Sequence, residues 1–183
     1  MTCIVGLLDG EDVYIGGDSA GVNTGTYTIA ERKDEKVFGN NGFIFGFTSS
    51  FRMGQLLRYA FTPPPYYTDV DLYKYMVTDF VDSIRKCLKD GGYARKSDGE
   101  ETGGTFLVGY KRRLFMIDCD YQVAEHYCPY FSVGCGEEYA KGCLYALQDI
   151  NMTPEDKITK ALEAAEKFSI GVAGPFNIIK TGE

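Results

Sequence analysis

The second residue of this 183-residue chain is a threonine, and Met1-Thr2 leads directly into the apolar run Cys3-Ile4-Val5-Gly6-Leu7-Leu8. Removal of the methionine would leave a terminal threonine that carries a hydroxyl and an α-amine on one residue. A hydroxyl nucleophile needs an adjacent base, and an α-amine with an ordinary pKa of about 7.7–8.0 supplies one at neutral pH. Such chemistry needs no imidazole. The chain has a single histidine, His126, so a Ser-His-Asp or Cys-His scheme would rest on that residue alone. Following Glu125 at the polar end of an expected strand, it reads as a solvated or hydrogen-bonded surface residue.

The other chemically able residues are an acid, a charge cluster and the thiols. Asp18 closes Gly16-Gly17-Asp18 at the end of the second apolar run, and Arg32-Lys33-Asp34-Glu35-Lys36 reads, taken alone, as a solvated face. The six cysteines, Cys3, Cys87, Cys119, Cys128, Cys135 and Cys143, are scattered and form no CxxC pair. They read as reduced, buried thiols; one histidine cannot complete a usual zinc set with them, so no metal and no cofactor is expected.

The elements that must position these groups follow from periodicity. Runs at 2–8 and 12–17 flank Asp9-Gly10-Glu11 and predict a hairpin. Runs at 36–38 and 43–48 flank Gly39-Asn40-Asn41-Gly42 and predict a second. From Ser50, the spacing of Phe51, Met53, Leu56, Leu57 and Ala60 is helical until Pro63-Pro64-Pro65 stops it. A second helix is capped by Thr68 or Asp69 and ends at Gly91-Gly92. After a polar loop at 93–102, runs at 104–110 and 113–118 predict a third hairpin around Lys111-Arg112, and 121–126 and 130–134 predict short strands. Helices follow over Glu137 to Leu147 and from the cap Thr153, with Pro154 and acids in its first turn, to about Phe168. A terminal strand is expected near 169–173.

An apolar content of 44% suits one compact domain over 1–183 with a sizeable core. The net charge of −7 argues against nucleic acid or an anionic membrane as partner. No stretch approaches the roughly 18 apolar residues of a membrane span, and no signal-peptide layout is visible. A cytoplasmic protein is expected. Two sheets with helices on their outer faces would bury these patterns in a four-layer αββα sandwich of the α+β class.

The order of elements resembles that of the proteasome β-subunits of the bacterial HslV type, within the N-terminal-nucleophile hydrolases. The residues that carry the resemblance span most of the chain. They are Thr2 before an apolar strand, Gly16-Gly17-Asp18-Ser19, Lys36-Val37-Phe38 leading into Gly46-Phe47-Thr48-Ser49, and Gly134-Cys135-Gly136 before a Tyr139-Ala140 helix. The resemblance implies Thr2 as nucleophile and Asp18, sixteen residues on, as the acid that orients a lysine and the terminal amine. It implies a lysine whose charge lowers the pKa of the threonine groups. Counting from Thr2 lands on Asp34, so the hairpin differs in length from the family pattern. Lys36, two residues further and therefore on the same strand face, is the choice, with Lys33 as the alternative.

By order, the backbone amide of Thr48 or Ser49 would face an oxyanion, with Phe47 and Met53 shaping an apolar pocket. Two departures stand out. Cys135 replaces the serine that family members place between the two glycines, and near the C-terminus the family's acid is missing, leaving Ser169 to fill part of that place. The activity implied is that of a threonine peptidase working in stacked rings on unfolded polypeptide, with any ATPase a separate protein, because no GxxxxGK[ST] motif occurs. A non-catalytic ring or scaffold subunit, and an amidohydrolase of small amides, are the alternatives.

Overall fold

A computed structural model of the chain describes residues 1–26, 28–97 and 99–182. The chain opens with β1 (Cys3–Asp9), β2 (Asp12–Gly17), β3 (Ala20–Asn23), β4 (Thr28–Glu31), β5 (Val37–Asn40) and β6 (Phe43–Phe47). Helix α1 (Phe51–Tyr59) follows, then α2 (Leu72–Tyr75), which continues through a π-helical stretch (Met76–Phe80) into α3 (Val81–Asp90). Strands β7 (Arg95–Ser97), β8 (Glu100–Thr102), β9 (Phe106–Tyr110), β10 (Arg113–Ile117), β11 (Val123–Glu125) and β12 (Tyr130–Gly134) precede α4 (Glu137–Leu147), α5 (Pro154–Phe168) and β13 (Asn177–Lys180).

Two antiparallel sheets, ordered β12-β1-β2-β13 and β11-β10-β9-β6-β5, form the centre. Strand alternation sends successive residues to opposite faces. In β1, Cys3, Val5 and Leu7 join Ala140, Leu144, Ile158, Ala161 and Leu162 beneath α4 and α5. Ile4 points the other way and meets Val13, Ile15, Val37, Ile44, Leu107 and Leu114 between the sheets. In β6, Phe43, Phe45 and Phe47 face α1 and α3 in an aromatic layer with Phe80, Phe106 and Phe115. The result is the expected αββα sandwich. The sheets approach closely at Gly46, where a Cβ would lie 2.5 Å from Ile4 Cγ2 and 2.6 Å from Ile15 Cγ2. No helix among the described residues is long and apolar enough to cross a membrane.

Several boundaries differ from expectation. The second helix starts after Asp71, whose carboxylate accepts the Lys74 amide at 2.9 Å. Thr68 and Asp69 instead lie in a turn closed by the Val70 amide donating to the Tyr67 carbonyl. The expected loop at 93–102 contains the β7–β8 hairpin, whose Glu101 pairs with Arg85 and Lys89 of α3; Asp98, within that loop, lies outside the described residues. No strand forms at 169–173. There the chain is held in a turn by the Val172 amide donating to the Ser169 carbonyl, and the last strand is β13, paired to β2. The thiols are free among the described residues, yet only Cys3 is fully buried; Cys119, Cys128 and Cys135 are exposed because they occupy turns rather than strand or helix faces.

Candidate functional site

The sheet ends at β1, β2, β5 and β6 converge on Thr2, which is 4% exposed. Asp18, one residue beyond β2, is the hub. Its Oδ1 accepts the Cys3 amide at 2.9 Å, and its Oδ2 accepts the Ala20 amide at 2.9 Å and the Lys36 ammonium at 2.8 Å. The Asp18 amide donates in turn to the Cys3 carbonyl at 3.4 Å. One carboxylate thus ties the peptide next to Thr2 to the lysine that leads into β5.

Lys36 and Asp18 expose 1% and 0% of their side chains. Charges this deep persist only when paired and hydrogen-bonded. Burial draws the Lys36 ammonium below the usual lysine range, and the Asp18 carboxylate opposes that shift. Lys33 is exposed and does not reach Asp18. The Lys36 side chain also stands over the Phe51 ring, 5.6 Å from its centroid, and shares with Thr2, Phe47 and Phe51 the wall of a small cavity of about 70 Å³.

The β12–α4 junction closes the opposite side. The Thr2 amide donates to Cys135 Sγ at 3.2 Å, and the Cys135 thiol donates to the Thr2 carbonyl at 3.5 Å. Ser169, the C-cap of α5, donates to the same sulfur at 3.3 Å. Gly134 has φ +102°, and a Cβ there would sit 2.3 Å from the Thr2 carbonyl oxygen, so only glycine admits this approach. The Thr2 hydroxyl donates to the Met1 carbonyl.

Thr48 and Ser49 behave differently. The Thr48 amide is spent on the Thr105 carbonyl at 3.1 Å. Ser49 has φ +68°, a left-handed conformation that its hydroxyl supports by accepting the Thr105 amide at 3.1 Å. Its own amide donates to no backbone or side-chain acceptor among the described residues. Phe47 borders the cavity, whereas Met53 is fully buried in the aromatic layer and does not; this corrects its expected role, because position 53 falls on the sheet-facing side of α1. Phe51 takes that place. Its ring is covered by the Arg32 guanidinium at 3.7 Å, a contact with no sequence signature. His126 lies away from the site, accepting the Cys128 amide at Nδ1 and packing edge-on against Phe131.

No protein-family model matches the chain, and no curated protein matches it in sequence. Solved structures do. BPH of Thiobacillus denitrificans superposes with a TM-score of 0.80 at 18% identity, covering 98% of this chain and 97% of BPH, and has also been solved in complex with epoxomicin. HslV of Trypanosoma brucei superposes with a TM-score of 0.65 at 17% identity over 97% of this chain and 98% of HslV. Anbu of Yersinia bercovieri, an ancestral β-subunit, gives 0.65 at 16% identity over 99% of this chain and 81% of Anbu. The chain has the fold of the proteasome and HslV type.

Proposed function

We propose that the chain is a threonine peptidase whose nucleophile is Thr2, freed by removal of Met1. The observation that carries this reading is the buried Asp18–Lys36 pair locked by the Cys3 amide to the peptide beside Thr2. A charge pair at 1% and 0% exposure is costly to build for stability alone. Lining the same small cavity as Thr2, its ammonium favours the alkoxide by charge.

In the reaction, Thr2 Oγ attacks the peptide carbonyl carbon while the Thr2 α-amine takes the hydroxyl proton, directly or through water. The oxyanion is met by the free Ser49 amide. The intermediate collapses to an ester on Thr2, and the amine returns its proton to the departing peptide nitrogen. Water then hydrolyses the ester by the same route reversed. Cys135 stands where the amine forms and orients it through its sulfur, which the Ser169 hydroxyl holds in turn. The fold supports self-assembly into stacked rings acting on unfolded polypeptide, served by a separate ATPase if one takes part.

Intact mass spectrometry before and after a peptide epoxyketone is the test. The expected result is loss of Met1 and one adduct, absent in Thr2→Ala, with kcat/KM lower by on the order of 10⁴-fold in that variant. Retained Met1, or a processed Thr2 that stays unmodified in the assembled ring, would overturn the reading in favour of a scaffold subunit. An adduct with turnover of small amides but not peptides would move the substrate class.

A further inference from the structure

Two cavities border Met1 and Thr48, and they differ in which catalytic group they hold. The smaller contains Lys36 and Phe47. The larger, of about 440 Å³, contains Gly134 and Cys135, with Met116 and Phe131 as apolar wall and Asp118 and Glu137 as its charged members. Met1 lines both together with Thr48 and Ser49, and its removal would open both beside Thr2.

The direction of a substrate across the two cavities follows from proton transfer, and so rests on the peptidase reading above. The proton taken from Thr2 Oγ is held on the Thr2 amine and must reach the leaving nitrogen. The leaving half therefore passes the Thr2 nitrogen, whose neighbour is Cys135 Sγ at 3.2 Å. This places the leaving half in the larger cavity and the acyl half towards Lys36.

Among the described residues, no Lys or Arg lines the larger cavity. Glu137 is engaged, since its Oε2 accepts the Gly134 amide at 3.0 Å and its Oε1 lies 3.3 Å from Lys141, a lysine shared with Glu138. Asp118 is available in part. Its Oδ1 accepts the Thr105 hydroxyl at 2.9 Å and the Cys119 amide at 2.7 Å, while its Oδ2 has no donor among the described residues. Both Oδ1 bonds fix the carboxylate in the cavity wall without neutralising it.

We infer that Asp118 is a specificity-determining residue that selects substrates with a lysine or arginine just after the scissile bond. An ammonium entering this cavity meets one anchored carboxylate with a free oxygen and a second, shared one. A carboxylate side chain entering it meets like charge at both, which penalises acidic leaving halves.

The experiment compares internally quenched peptides with one acyl half and Lys, Leu or Glu as the first leaving residue, on the Met1-free protein. The expected kcat/KM ratio of Lys to Glu is about tenfold or more, collapsing towards one in Asp118→Asn and reversing in Asp118→Lys. A ratio near one in the unsubstituted protein, or an unchanged ratio in Asp118→Asn, overturns the inference while leaving the peptidase reading intact. If neither turnover nor an epoxyketone adduct is seen, the peptidase reading has failed, and binding of H-Lys-Leu-Gly-NH2 against H-Glu-Leu-Gly-NH2 decides the cavity. Tighter binding of the Lys peptide, lost in Asp118→Asn, keeps Asp118 as the cation-selecting group of the cavity and overturns its placement after a scissile bond; equal binding overturns both.

Discussion

Two ion pairs of opposite character stand within the same short stretch before β5. Arg32 and Asp34 make a bidentate pair, with Arg32 Nε donating at 2.7 Å, and expose 38% and 40% of their side chains. Lys36 and Asp18 make a single contact at 2.8 Å and expose 1% and 0%. By geometry alone the first is the better hydrogen-bonded unit, yet it does less. Water already solvates both of its partners, so forming it gains little. The buried pair has given up its water, so each partner depends on the other and on the Cys3 and Ala20 amides. The mixed charges of 32–36, in the bends between β4 and β5, thus divide into a surface part and a site-forming part, Lys36 alone being turned fully inward.

The sharpest way to break this comparison is to remove one buried partner. Lys36→Ala strands a carboxylate in the interior and is expected to cost about 3–5 kcal/mol in urea unfolding. A loss no larger than that of Arg32→Ala would mean the buried pair is solvated in solution and the contrast is false. The same division is expected among the thiols. Burial pushes the Cys3 thiol up to about 12, from an ordinary value of 9.0. Native protein treated with iodoacetamide at pH 8 is expected to lose Cys119, Cys128 and Cys135 to alkylation while Cys3 stays unmodified, all six reacting only after unfolding. Labelling of native Cys3 at the rate of Cys135 would show that the floor of the site opens. The smallest expected effect is at the surface pair. Arg32→Ala is expected to cost about 0.2–1 kcal/mol for the ion pair, reduced further by added salt, whereas salt leaves the Lys36→Ala loss unchanged. A salt-insensitive loss at Arg32 would assign its contribution to the Phe51 stack instead.

Much of the architecture is legible before any coordinates. The turn signals at Asp9-Gly10-Glu11 and Asn41-Gly42 mark hairpins that form with the registers their loops dictate, Asp9 opposite Asp12 and Asn40 opposite Phe43. Alternation along β1 and β6 assigns their faces. Lys36 rather than Lys33 reaches Asp18, but the strand parity of 34 and 36 does not account for it, because both lie in bends before β5 and only Lys36 is buried. What escapes sequence reading is what depends on distant partners. The β7–β8 hairpin, Arg95-Lys96-Ser97 with Glu100-Glu101-Thr102, is polar, and the four-residue strands β3 and β4 carry only Val22 and Ile29 as large apolar residues, so no apolar period announces either hairpin. The choice between Thr48 and Ser49 turns on Thr105, more than fifty residues away, which takes one amide and anchors the other residue's hydroxyl. Asp118 and Glu137 come to one cavity only because β10 and the start of α4 end at the same edge. The last strand is 177–180 rather than 169–173 because it is the former that pairs with the edge of β2.

The contact between Gly134 and the Thr2 carbonyl has a bearing on how this chain tolerates variation. At most crowded positions a substitution is graded by size, and a small residue is forgiven. At Gly134 the obstacle is the first side-chain carbon itself, 2.3 Å from a main-chain oxygen, and alanine is excluded as firmly as tryptophan. In a saturation-mutagenesis library selected for folded protein, position 134 is then expected to show near-uniform depletion across all nineteen replacements, a signature of backbone proximity that needs no knowledge of what the chain acts upon.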